Sequence, residues 1–229
     1  MSDNAWPEFR WLERGEGEPV LFLHGLMGQM DHWELTLEAL ADICRPMALA
    51  LPILDPGLRE TSIEALGRHV GRFLAAIDMP RVVIGGNSLG GHVALELALS
   101  YPERVSGLIL TGSSGLFERS FTRGVPHRPT AEYVRAKMEE VFYRPDLVTP
   151  EWVESVRRTV TAPASALRVL RFARAAKRHS VEGRLEAIRV PTLLVWGRND
   201  RITPPPVAER FRSLIADSEL ALLSACGHA

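Results

Sequence analysis

At 229 residues, with 46% hydrophobic residues and a net charge of −1, the chain can bury one large core, alone or with an insertion. Of 27 basic residues only Lys137 and Lys177 are lysine, and no dense basic run suggests a nucleic-acid partner. No apolar run reaches the length of a membrane span, Met1–Pro7 lack the regions of a signal peptide, and Cys44 and Cys226 give neither a disulfide framework nor a metal-ligand spacing; these features lead us to expect a cytoplasmic protein with no membrane partner.

In chain order, residues 8–13 predict a short N-terminal strand and 20–24 a buried one. A helix is predicted over 31–42, with Asp31 as its N-cap, followed by a strand over 46–51 and a helix over 61–78. The apolar run 81–86 reads as a strand, 89–101 as a helix and 105–111 as a further strand. Between Gly115 and Arg189 the strand signals stop. Thr130 begins one helix; Thr149 and Pro150 begin a second, with a capping hydroxyl followed by proline at the first helical position. Ala164–His179 makes a third, with Leu167, Leu170, Ala173 and Ala176 along its apolar face. Strands resume at 190–196 and 219–223, separated by a helix over 205–215 that starts in Pro204-Pro205-Pro206. The alternation predicts an α/β fold, with a mostly parallel central sheet and helices on both faces.

Three loops carry chemistry. Gly86-Asn87-Ser88-Leu89-Gly90 joins a predicted strand to a predicted helix, the context in which G-x-S-x-G makes a nucleophile elbow. Asp200 ends Trp196-Gly197-Arg198-Asn199-Asp200 after the 190–196 strand, and His228 ends Cys226-Gly227-His228 after the last one. The order Ser88, Asp200, His228 supplies a nucleophile, its base and the carboxylate that orients the base. Asp200 also fits a plain turn residue in its Gly-Arg-Asn-Asp setting. His24-Gly25-Leu26-Met27-Gly28 follows the strand at 20–24. No HExxH, Cys/His cluster or phosphate-cradling G-x-G-x-x-G is present, so neither a metal nor another cofactor is expected.

With these residues in place, the chain resembles the α/β-hydrolase superfamily over nearly its whole length, in the branch with a helical lid. It is similar to small bacterial esterases and to the meta-cleavage C–C hydrolases, which also favour G-N-S-x-G-G. The resemblance implies a core made of residues 1–115 and 186–229, with 116–185 inserted as the lid. It implies an oxyanion hole from the backbone N–H groups of Leu26 and Leu89, and a His24 that shapes that loop without joining the triad. A serine at position 88 separates the chain from the dehalogenases and epoxide hydrolases, which use a carboxylate nucleophile. Relatives continue past the histidine loop into a C-terminal helix that this sequence lacks; a histidine next to the final residue is expected to be poorly ordered unless something ties it down.

Residues 116–185 hold 12 Arg and 2 Lys against 8 acidic residues, so the rest of the chain is acidic. A solvated surface explains this as well as a role in drawing an anionic substrate does. His32, His69, His92, His127 and His179 read as surface or packing residues, and Gly112–Gly115 as a flexible exit toward the lid or else a lining of the pocket. The expected activity is hydrolysis of a carboxylic ester of a small or medium acid on a small-molecule substrate. The alternatives are C–C bond hydrolysis of a vinylogous diketone acid, or ligand binding on the same fold with little turnover.

Overall fold

The computed structural model describes residues 4–6, 8–117 and 129–229. Its strands are β1 (Asn4–Trp6), β2 (Phe9–Glu13), β3 (Pro19–Leu23), β4 (Arg45–Leu49), β5 (Val82–Asn87), β6 (Val105–Thr111), β7 (Thr192–Gly197) and β8 (Ser218–Leu223). Its α-helices are α1 (Glu34–Leu40), α2 (Ile63–Ala76), α3 (Leu89–Ser100), α4 (Ala131–Glu139), α5 (Pro150–Thr161), α6 (Pro163–Arg178) and α7 (Pro205–Leu214). The strands form one eight-stranded sheet in the order β1-β2-β4-β3-β5-β6-β7-β8. The β1–β2 and β2–β4 pairs are antiparallel and every later pair is parallel.

Alternation along the strands divides the core between the two faces of the sheet. Leu21 and Leu23 join Ile84, Leu108, Leu110 and Leu194 in one cluster, while Val20 and Phe22 join Leu12, Leu37 and Ala48 in another. Helix α3 is buried from Leu89 to Ala98, which explains why its sequence is apolar on almost every face. At the start of α2, the Ser62 hydroxyl accepts from the Ala65 N–H at 3.1 Å.

Two details differ from the sequence-based expectation at the first helix. It opens with a 3-10 turn over Met30–Trp33, and Asp31 lies inside that turn instead of capping it. Gln29 stands at the N-cap without a side-chain hydrogen bond. The tighter turn sets Trp33 flat on Phe22, with ring centroids 4.6 Å apart, so packing overrides the local capping signal.

Helices α4, α5 and α6 lie between β6 and β7. Thr130 and Thr149 cap α4 and α5 by accepting from the N–H groups of Tyr133 and Trp152, both at 3.2 Å, as the sequence indicates. Helices α4 and α5, with the turn between them, share a small core in Val134, Met138, Val148 and Val153. Helix α6 is where the expected face is partly wrong: Ala176 is buried as expected, while Leu170 and Ala173 are only half-buried. Leu167 is 47% exposed, and the buried residues are Val169, Phe172, Ala175 and Ala176. Phe172 decides the rotation, because it is fully buried in the main core cluster and offers more apolar area than any leucine on the helix.

This rotation predicts that Phe172→Ala lowers stability by about 3–5 kcal/mol, whereas Leu167→Ala changes it by less than about 0.5 kcal/mol. Urea denaturation of both variants is the measurement. A larger loss at Leu167 would restore the face read from the sequence.

Candidate functional site

The centre of the site is the junction of β5 and α3. Ser88 has φ +53° and ψ −116°, a left-handed conformation that a non-glycine residue adopts only when its surroundings enforce it. A Cβ on Gly90 would lie 2.1 Å from the carbonyl oxygen of Leu23, and one on Gly86 2.3 Å from the carbonyl carbon of Gly90. Only glycine fits either position, so the strand can turn into the helix within one residue. The Ser88 N–H donates to Thr111 O at 3.0 Å, and the Ser88 carbonyl accepts from Ser114 N–H and His92 N–H, both at 3.1 Å. The Leu89 N–H opens α3, where the first turn of a helix leaves its donors without intrahelical partners.

The His24–Leu26 loop lies against the serine: a Cβ on Gly25 would be 3.5 Å from Ser88 Cβ. His24 is buried. Its Nδ1 donates to Gly25 O at 2.8 Å while its Nε2 accepts from Leu51 N–H at 2.9 Å. Burial pushes its pKa down to about 4, against a smaller opposing effect of the Gly25 carbonyl, so the ring is neutral with the proton on Nδ1.

The other bank of the site is built by the loops after β7 and β8. The His228 Nδ1 lies 2.8 Å from Asp200 Oδ2, and both side chains are buried. Asp200 Oδ1 accepts from the N–H groups of Ile202 and Thr203, at 2.8 and 2.9 Å. Asp200 is thus the turn-forming residue its sequence setting suggests and also the partner of His228. The backbone of His228 is tied on both sides: its N–H donates to Val141 O at 2.7 Å, and its carbonyl accepts from Asn87 Nδ2 at 2.9 Å. These ties answer the expectation that a histidine this close to the last residue would be poorly ordered.

Three contributors escaped the sequence analysis. Asn87, inside the G-N-S motif, links the residue before the serine to the histidine loop. Thr203 places its hydroxyl 2.9 Å from Asp200 Oδ2, 3.2 Å from His228 Nδ1 and 3.1 Å from Gly112 O. Its only signal was a hydroxyl three residues past the acid. Gly112, with φ +49°, runs so close beneath the pair that a Cβ there would lie 2.9 Å from His228 Nδ1. The segment Gly112–Gly115 is buried throughout, which corrects its reading as a flexible exit. His69 and His92 are buried packing residues, His32 is exposed, and His179 meets Glu64 and Glu96 at 3.4 and 3.3 Å. His127 lies outside the described residues. Among the described residues, no group of three or more His, Cys, Asp or Glu side chains is placed to hold a metal ion, and no helix is long and apolar enough to cross a membrane.

A sequence profile described as the alpha/beta hydrolase fold matches residues 18–229. The chain is 30% identical to the dihydrolipoyllysine-residue acetyltransferase component of the acetoin cleaving system of Pseudomonas putida, over 96% of this chain and 61% of that protein. It is 31% identical to the 2-hydroxy-6-oxononadienedioate/2-hydroxy-6-oxononatrienedioate hydrolase of Cupriavidus pinatubonensis, over 77% of this chain and 65% of that protein. The matched regions thus span less than two thirds of the length of either relative. Among solved structures, an alpha/beta hydrolase enzyme from the metagenome of lagoon sediments at Mar Chica, Morocco, is 31% identical with a TM-score of 0.80, over 99% of this chain and 89% of that one.

The buried histidines predict acid sensitivity. Burial sets the pKa of His24 to about 4 and that of His92 to about 3, both below the unfolded value near 6.5. Between those values the unfolded chain binds more protons than the folded one, so stability is complete above about pH 6.5 and falls as the pH drops toward 4. Protonated His24 would also turn an N–H toward the Leu51 N–H. His24 alone accounts for about 3 kcal/mol over that interval. Thermal midpoints measured from pH 8 to 4 should fall in this window, and less steeply in His24→Gln. Equal slopes for the two proteins would remove His24 from the explanation.

Proposed function

The chain belongs to the alpha/beta hydrolase fold family, and we propose on that footing that it is a serine hydrolase cleaving a carboxylic ester of a small or medium acid. In this reading Ser88 is the nucleophile, His228 the base and Asp200 the carboxylate that orients it; Leu26 and Leu89 give the oxyanion hole from their backbone N–H groups. The inserted helices, within residues 116–185, act as the lid over a core of 1–115 and 186–229. Free thiols at Cys44 and Cys226 suit a reducing cytoplasm.

The observation that carries the reading is the 2.8 Å contact between His228 Nδ1 and Asp200 Oδ2. A carboxylate at Nδ1 holds the proton there and leaves the Nε2 lone pair to act as base. The Ser88 hydroxyl attacks the ester carbonyl as its proton passes to His228 Nε2, and the oxyanion forms against the two N–H groups. Collapse expels the alcohol, which takes the proton from His228 and leaves the acid esterified to Ser88. Water then repeats the sequence: His228 removes its proton, the second tetrahedral intermediate collapses, and the free acid leaves with Ser88 restored. Asp200 stays ionised throughout and stabilises the imidazolium.

The Cupriavidus hydrolase favours a second reading, cleavage of a C–C bond in a vinylogous diketone acid by the same residues. Here the leaving group is carbon and must be protonated as it departs.

A fluorophosphonate probe should label Ser88, and Ser88→Ala should lose both labelling and turnover. Asp200→Asn should keep its fold and lose about 10³–10⁴ in kcat. Turnover retained by the alanine variant would overturn the serine assignment. Profiling p-nitrophenyl esters of graded acyl length beside a coloured dienoate separates the two bonds, since turnover of the dienoate alone selects the second reading.

A negatively charged substrate is part of the proposal, with attraction acting at a distance. In the insertion, Arg157 pairs with Glu154, and Arg168 donates to the carbonyls of Pro52, Ile53 and Leu58. Arg171, Arg174, Lys177 and Arg178 on α6 are exposed, with no ion pair among the described residues. Such charges steer an anion without gripping it. Anionic esters should therefore show a higher kcat/KM than neutral analogues, and the difference should fade as salt shortens the screening length toward about 8 Å. Equal values at low and high salt would leave the basic helix without a part in substrate capture.

A further inference from the structure

Asp200 and His228 are buried, and a buried carboxylate is stabilised by the donors that reach its oxygens. Oδ1 has two, the N–H groups of Ile202 and Thr203. Oδ2 faces His228 Nδ1 at 2.8 Å and the Thr203 hydroxyl at 2.9 Å. That hydroxyl has one proton and two possible acceptors, Asp200 Oδ2 and the Gly112 carbonyl at 3.1 Å. Giving the proton to Gly112 would aim an oxygen lone pair at an anionic oxygen 2.9 Å away, so the carboxylate takes it. The hydroxyl oxygen then faces His228 Nδ1 at 3.2 Å as a second, weaker acceptor. Thr203 is itself fixed, because it is fully buried and its carbonyl accepts from Trp196 Nε1 at 2.7 Å.

We propose that Thr203 is a positioning residue for the base: its hydroxyl aims Asp200 Oδ2 at His228 and moderates the hold of the carboxylate on the imidazolium. The inference rests on the serine-hydrolase reading. It assigns to a threonine on the β7–α7 loop two effects that the residues named above do not supply. The first is alignment, since the Thr203 hydroxyl holds Oδ2 from a second side and its direction does not depend on the imidazole alone. The second is charge distribution, since a donor on Oδ2 shares the negative charge that would otherwise fall wholly on His228. Cys226 is a further ionisable group near Asp200; burial and the Asp200 charge both raise its thiol pKa, so it adds no charge of its own.

The test compares Thr203→Val, which keeps the shape and removes the hydroxyl, with Thr203→Ser, which keeps the hydroxyl and removes the methyl. The readouts are the pH dependence of fluorophosphonate labelling at Ser88 and p-nitrophenyl acetate turnover. The valine variant should lose about 10- to 100-fold in labelling rate and in kcat with KM little changed, as expected for a hydrogen bond to a charged group. Its acidic limb should move to higher pH, because an undivided carboxylate charge favours protonated His228. The serine variant should recover both the rate and the position of the limb. Overturning results are a valine variant within twofold of wild type, a limb that does not move, or a serine variant as impaired as valine. Should valine fail to fold, as judged by circular dichroism, the serine variant alone decides, by a wild-type limb or a displaced one. A wild-type protein that the probe does not label at Ser88 overturns the hydrolase reading, and this proposal with it.

Discussion

The close approach of Gly90 to the carbonyl of Leu23 is the contact on which the arrangement above the sheet depends. It allows α3 to begin against the loop that leaves β3, with no side chain between helix and strand. The Leu89 N–H and the His24–Leu26 loop consequently flank the same residue, Ser88. The positive φ of Ser88 costs on the order of 1–3 kcal/mol, and the surroundings hold it there. Thr111 O anchors its N–H, Ser114 and His92 anchor its carbonyl, and α3 is buried from Leu89 to Ala98. A turn fixed on every side cannot relax without unpacking the centre of the sheet.

The histidine loop is held differently, by contacts between parts of the chain that are distant in sequence. Val141, just past α4, accepts from the His228 N–H, and Asn87, at the end of β5, donates to its carbonyl. The α4–α5 segment also reaches the opposite bank. Phe142 packs on Trp152, with centroids 5.2 Å apart, and Trp152 meets His32 edge-on at 5.6 Å. One stretch of chain thus touches both the histidine loop and the turn that follows His24–Gly28. The placement of His228 is a property of the sheet and the α4–α5 segment together.

This division explains what could be read from the sequence. Ser88, Asp200 and His228 each follow an apolar run that forms a strand, so local pattern and chain order were enough to single them out. Thr130 and Thr149 announced α4 and α5 because a helix cap acts within one turn. The missed features involve longer range. The buried face of α6 follows from where Phe172 meets the main core, which no helical period encodes. Asp31 has a good capping side chain, yet Trp33 stacking on Phe22 sets the turn. Gly112–Gly115 has the composition of a flexible loop and is buried because His228 and Asp200 lie on Gly112, and Val181 and His92 on Gly115. Asn87 acquires the His228 carbonyl, and Thr203 acquires Gly112 and His228 beside its local partner Asp200, only when the loops after β5, β6, β7 and β8 come together.

The same logic distinguishes two of the buried histidines, His24 and His228, which the sequence alone separates only by resemblance. His24 has both ring nitrogens engaged: Nδ1 donates to a carbonyl and Nε2 accepts from a backbone N–H. A ring in that state can accept a proton only by giving up the Leu51 N–H, and burial already holds its pKa down at about 4. His228 has a carboxylate at Nδ1, which stabilises a positive ring, and among the described residues no protein group bonds its Nε2. The choice between them comes from the partner at Nδ1, a neutral carbonyl for one and a carboxylate for the other.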